Sequence, residues 1–237
     1  MKSTISKAVR LATLGLTAAG AMAVSQTTMA EVDVSASAGV ASAYLFRGLD
    51  LGEGNAAVFG DITASSGGAY ASIWASSGDG SSGSEYDLIL GYGMEMGDFS
   101  VDAGVVNYVY PSNDDYDSIG QFTEVYVNLG FKMVGFSYYN NVSDQTKAHE
   151  IGAEGYEYYT LSGELGSFSA LVGYSDSEEE SGSKVDLDYT HIDLSYAYND
   201  NLSFTASKIV DFDDDSTPNA DIDDDLLFVV SYSLPIK

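Results

Sequence analysis

The chain has 237 residues, with 36 Asp and Glu against 9 Lys and Arg and a formal charge of −27. A surface this acidic repels phosphate backbones and anionic headgroups, which argues against nucleic-acid binding and electrostatic docking on lipid. There is no cysteine, so neither disulfide staples nor thiolate chemistry is available.

The first predicted element is a leader. Lys2, Lys7 and Arg10 precede an uncharged stretch from Leu11 to Val24, and Thr28-Met29-Ala30 supplies the small residues of a cleavage site. The stretch is shorter than the roughly 20 residues of a spanning helix. Residues 1–30 therefore read as a cleaved signal peptide and 31–237 as the mature protein, with a cut after Ala23 as the alternative. Cleavage removes three basic residues and no acidic ones, leaving 6 − 36 = −30. No later apolar run is long enough for a spanning helix. A soluble periplasmic β-protein and a membrane β-barrel remain, and abundant Gly and Tyr with three Pro lean towards strands.

Twelve strands follow (range 10–14), near 33–46, 55–66, 69–76, 85–96, 98–110, 121–131, 133–140, 155–164, 167–175, 186–198, 201–212 and 225–236. Period-two alternation carries the assignment, because successive strand side chains point to opposite faces. Tyr86, Leu88, Leu90, Tyr92, Met94 and Met96 form one row, with Glu85, Asp87, Gly91, Gly93 and Glu95 between them. Phe99 to Val105, Val125 to Phe131, Phe168 to Tyr174, Ile192 to Tyr198 and Leu226 to Ile236 repeat the pattern.

The connections alternate too. Tight turns fall at Gly67-Gly68, Gly97-Asp98, Lys132, 163–166 and 199–201, and long polar segments at 76–84, 111–120, 140–154, 175–185 and 213–224. The expected fold is all-β: an antiparallel transmembrane β-barrel with short periplasmic turns and long acidic extracellular loops. A soluble sandwich would also alternate, with its apolar rows turned inward. Against it stand the small and acidic second rows, which suit a wet lumen. Tyr92, Tyr108, Tyr110, Tyr174, Tyr196, Tyr198 and Tyr232 sit near strand ends, where interfacial girdles belong.

From Ser42 to Ile62, around Tyr44, Phe46, Arg47 and Gly48, the chain resembles the opening signature of the TorF-type family of outer-membrane porins (Gcw-type conserved proteins). Gly68-Ala69-Tyr70, Trp74-Ala75-Ser76, Glu85-Tyr86-Asp87, Gly91-Tyr92 and Tyr108-Val109-Tyr110-Pro111 continue it in order. The resemblance is strong over the first half and diffuse afterwards, and it implies an outer-membrane barrel more than any transport specificity. One departure is the end, Leu234-Pro235-Ile236-Lys237, where barrels commonly present a terminal aromatic to the insertion machinery.

Arg47 is the sole arginine of the mature chain, at the mouth end of the first predicted strand. It reads equally as a constriction or loop-latching charge, or as a strand terminator in a buried ion pair. By face assignment the lumen-facing acids are Asp61, Glu85, Asp87, Glu95, Asp102, Glu124, Glu157 and Asp193, which together predict a cation-preferring interior. Lys208 falls on an outward row, an expensive place unless it snorkels or a bulge shifts the register.

The runs 211–215 and 221–225 look calcium-like, but the EF-hand spacing fails at Ser216 and Ile222. They read first as solvated acidic loops, as does Glu178-Glu179-Glu180, with weak divalent-cation binding as the alternative. His149 and His191 define neither a metal site nor a catalytic base, and no nucleophile motif or phosphate-cradling loop occurs. No cofactor and no enzyme activity are expected. The partners expected are outer-membrane lipid, the barrel-insertion machinery, and small polar solutes or cations diffusing passively. The alternative is a non-conducting barrel whose acidic loops bind a partner or divalent ions.

Overall fold

The computed structural model describes residues 31–80, 82–114, 116–143, 155–177, 188–212 and 224–236. The strands are β1 (Asp33–Ala41), β2 (Leu45–Phe46), β3 (Leu49–Asp50), β4 (Ala57–Ser66), β5 (Ala69–Asp79), β6 (Gly83–Met96) and β7 (Phe99–Val109). They continue with β8 (Phe122–Phe131), β9 (Val134–Asn141), β10 (Glu157–Leu165), β11 (Phe168–Asp176), β12 (Tyr189–Ala197), β13 (Leu202–Phe212) and β14 (Leu227–Ile236). Twelve of them, all but β2 and β3, close into one antiparallel barrel in which β1 pairs with both β4 and β14. This is the all-β architecture of an outer-membrane barrel.

Alternation explains the wall. Leu90, Tyr92 and Met94 on β6 are exposed, and so are Val125, Val127 and Leu129 on β8, and Leu194 and Tyr196 on β12. Their neighbours Asp87, Ile89, Glu124, Tyr126, His191 and Asp193 are buried. A soluble barrel would show the reverse, with its large apolar side chains inside. Tight turns join β4 to β5, β6 to β7, β8 to β9, β10 to β11 and β12 to β13, all at the end that carries both termini. Lys132 makes the turn between β8 and β9 with a φ of 56°, a rare conformation for a side-chain-bearing residue. We call this the turn end and the opposite rim the loop end; in barrels of this type the loop end faces outward.

Four local expectations are corrected. The first predicted strand does not run to residue 46: β1 stops at Ala41, and Leu45–Phe46 pairs with Leu49–Asp50 in a separate hairpin. The predicted long connection at 76–84 is mostly strand, because β5 and β6 extend past a register shift and still pair at Asp79 and Gly83. Tyr108 and Tyr110 are buried inside rather than displayed in a girdle, whereas Tyr92, Tyr174, Tyr196, Tyr198 and Tyr232 are exposed on the outer wall. Glu157 lies on the outward row of β10. Its neighbour Tyr158 points inward to His191, so strict alternation turns Glu157 out, where Tyr138, Tyr159 and Asn140 hydrogen-bond its carboxylate.

Lys208 is on the outward row, paired with Ile192 beside a bulge at Thr190 and His191. Its ammonium donates to the Asp224 carbonyl at 3.0 Å, snorkelling up to the rim. The leader at 1–30, His149, Glu178-Glu179-Glu180 and most of the acidic segment 213–224 lie outside the described residues.

Candidate functional site

The connection from β1 to β4 folds into the barrel instead of over it. Ser42 ties its start to β14, donating its backbone N–H to the Val230 carbonyl and accepting from the Val230 N–H, both at 2.9 Å. The β2–β3 hairpin follows, with Leu45 opposite Asp50 and Phe46 opposite Leu49. Its two central residues, Arg47 and Gly48, have φ of 50° and 86°, the paired positive angles of a type I′ turn. The side chain of Asp50 then accepts from the N–H groups of Gly52 and Gly54 at 3.0 and 2.8 Å, which folds the return.

The tip of this hairpin meets the far wall. The Arg47 guanidinium donates two parallel hydrogen bonds to Glu124 on β8, at 2.9 and 2.6 Å, with both side chains buried. Phe46, Tyr139, Tyr156 and Tyr158 place rings within 4.6 to 5.3 Å of its central carbon. Burial, the largest single influence, disfavours the Arg47 charge, but Glu124 together with Tyr156 and Tyr108 outweighs it and holds the guanidinium well above its ordinary pKa. The Arg47 carbonyl accepts from the Tyr189 hydroxyl at 2.9 Å. Gly48 packs so closely on the His191 ring that a Cβ would lie 2.6 Å from it.

Around this tip the interior is solid. Tyr44, Tyr108, Tyr156, Tyr189, His191, Glu124, Val106 and Asp87 are all under 2 % exposed. Tyr108 donates to Glu124 at 2.9 Å. Tyr158 bonds His191 Nε2 at 2.6 Å, His191 Nδ1 bonds Asp193 at 3.0 Å, and Ser207 donates to Asp193 at 2.6 Å. Glu85 accepts from the hydroxyls of Tyr44 and Tyr110. Burial first, and the Glu85 charge second, push both phenols well above their ordinary pKa, so they stay protonated as donors.

One level lower, Tyr70 and Tyr126 meet hydroxyl to hydroxyl, and Asp102 accepts from Tyr70 at 2.9 Å and from Asn128 at 3.1 Å. Gly91 and Gly104 make room for these rings: a Cβ at either would lie 2.4 Å from a tyrosine atom. Below that level the inward rows change character. Ser37, Thr63, Ser162, Ser169, Ser203 and Ser233 are only partly buried, while Ser35, Glu95, Ser100 and Glu164 are exposed. Hydroxyl pairs link the strands here, Thr63 with Ser72 and Ser195 with Thr205, each at 2.8 Å.

Residues 25–228, which include the hairpin and reach into the last strand, match a family described as a bacterial protein of unknown function (Gcw_chp). The chain belongs to that family. No curated protein matches this Gcw_chp chain. Among solved structures it is similar to outer membrane phospholipase A from Escherichia coli, at 10% identity over 86% of this chain and 90% of that one, with a TM-score of 0.43. It is also similar to OccAB4 of Acinetobacter baumannii (10% identity, 77% and 54%, TM-score 0.38). OccK5 (OpdH) of Pseudomonas aeruginosa is a third (10% identity, 77% and 59%, TM-score 0.38).

The sequence-predicted residues thus fall into three groups. Arg47 and Glu124 meet in the latch, with Glu85, Asp87 and Asp193 buried around it. Asp61, Asp102 and Glu95 stand on inward rows nearer the turn end, where Asp61 accepts from Ser37. Glu157 faces outward. What face assignment missed is the tyrosine set of the loop end. The signal was present, since extending the Phe99, Val101, Ala103, Val105 row by twos leaves Tyr108 on the opposite, inward side.

Proposed function

We propose that the protein is an outer-membrane channel for passive diffusion of small polar solutes or cations, closed in this conformation by the β2–β3 hairpin. The observation that carries this reading is the contrast along the axis: hydroxyls and carboxylates line the turn-end half, and above it the hairpin, with Arg47 paired to Glu124, fills the space left between the large wall side chains. A lumen rich in Asp61, Glu95 and Asp102 favours cations, because fixed carboxylates raise the local cation concentration. The reading includes export through a cleaved leader, delivery by the barrel-insertion machinery and residence in the outer membrane. It agrees with the porin character implied by the resemblance at Tyr44 to Gly48.

Planar-bilayer recording tests it. Wild-type protein should be closed or open only briefly, and Arg47→Ala should conduct steadily with cations preferred over chloride. A folded, heat-modifiable Arg47→Ala barrel that passes no current overturns it. A second reading, the non-conducting barrel whose loops bind a partner or divalent ions, is favoured by the filled cross-section at Tyr44, Tyr108, Tyr156 and Tyr189. It predicts that deleting a loop abolishes binding with solute uptake unchanged.

A further inference from the structure

The loop-end interior encloses more negative charge than its partners balance. Asp79, Glu85, Asp87, Glu124 and Asp193 are all buried there. Arg47 neutralises Glu124, His191 and Ser207 hydrogen-bond Asp193, and the Ser82 N–H donates to Asp79. Glu85 and Asp87 remain, two positions apart on the inward row of β6 and both buried. Glu85 is served by two phenols. Asp87 is 1 % exposed, and neither of its oxygens accepts a hydrogen bond. Its partners across the ladders are Trp74 and Tyr108, and the Tyr108 hydroxyl is committed to Glu124.

Two adjacent carboxylates in a dry interior repel each other and have lost their hydration, a cost relieved by a compensating positive charge, whether a proton or a metal ion. The oxygen count indicates its kind. Two phenol oxygens meet the Glu85 carboxylate, and both oxygens of Asp87, two positions along the same inward row, are unpartnered; all six are hard oxygen ligands. Such a set suits a hard divalent cation, whose two charges balance the pair. We propose that Glu85 and Asp87, with the hydroxyls of Tyr44 and Tyr110, bind one hard divalent cation beneath the hairpin.

The site joins wall to plug, because Tyr44 immediately precedes β2 while Glu85 and Asp87 belong to β6. A bound cation therefore fastens the hairpin at its root, as the ion pair with Glu124 fastens its tip. Both carboxyls are enclosed, so the cation exchanges only when the hairpin moves. The proposal concerns closure and does not depend on whether the open barrel conducts.

The experiment uses full-length mature protein refolded in detergent with chelator, then titrated with Ca²⁺, Mg²⁺ or choline chloride as ionic-strength control. Binding is read by tyrosine-sensitised Tb³⁺ luminescence and by the thermal midpoint. Wild type should show a saturable phase that Asp87→Asn weakens at least tenfold, while the cation-free variant melts no lower than cation-free wild type. Glu85→Gln should lose the same phase, and it serves where Asp87→Asn does not fold. Arg47→Ala should release Tb³⁺ to excess chelator at least tenfold faster. Identical titrations for wild type and both carboxyl variants would place all binding in the loops and overturn the proposal. So would a wild-type midpoint that follows pH but ignores divalent cations, the behaviour of a pair that shares a proton only.

Discussion

The two halves of the interior share one wall and one alternation rule yet solve different problems. At the loop end, inward positions carry Tyr108, Glu124, Tyr158, Tyr189 and His191, and the Leu45–Asp50 hairpin fills the space between them. At the turn end the inward rows carry Ser100, Ser162, Ser169 and Ser203, too small to meet across the barrel, and these side chains stay partly open to water. The inward rows of β7, β10 and β12 therefore change from small at the turn end to large and aromatic at the loop end. The barrel is a container only over the half where the sequence withholds volume.

This contrast sets an order of sensitivity. The largest effect is expected for Arg47→Ala, which strands the Glu124 carboxylate in a dry environment and should cost about 3–5 kcal/mol. Urea unfolding in detergent measures it. Replacing both partners by apolar residues of similar size should recover most of the loss, because the penalty comes from the orphaned charge. Equal losses for the single and double replacements would mean that packing, and not charge, holds the tip.

Next comes Gly48→Ala, which combines a φ of 86° with a Cβ 2.6 Å from His191 and should cost about 1–3 kcal/mol. Limited proteolysis at the hairpin, together with the unfolding midpoint, should show it. Thr205→Val removes the partner of Ser195, a loss of about 0.5–1.5 kcal/mol on the same curves. A larger loss would show that the hydroxyl ladder is as tightly built as the plug. Smallest is Asp98→Asn, which removes an exposed 3.8 Å contact with Lys132 at the turn end. The midpoint should not move, at low salt or high.

The barrel was legible in the sequence because its signal is redundant: each strand repeats a period of two, and the turn residues punctuate it independently. Glu124, Asp87 and Asp193 were placed inward by parity alone. The hairpin was hidden by the same rule. Tyr44, Leu45 and Phe46 read as more wall, with Arg47 at its mouth, since alternation says nothing about whether a strand pairs with its neighbour or leaves the sheet. The departure is signalled by Arg47-Gly48 as a type I′ turn, and an Arg at a position requiring positive φ is a weak signal. Glu157 failed for a related reason. Face assignment puts it inside, whereas at the outer rim its carboxylate is satisfied by Tyr138 and Tyr159 on the outer face.

The hairpin also orders events in time. Its socket is assembled from Tyr108, Glu124, Tyr139, Tyr158, Tyr189 and His191, all of them later in the chain than the tip they receive. Tyr189, which grips the Arg47 carbonyl, lies 142 residues downstream. A barrel built strand by strand from the N-terminus would carry Arg47 without its socket until β12 arrived, shortly before β14 could meet β1. Docking of the tip thus reports on the completeness of the wall, and a chain truncated before β12 would have no means of passing that check.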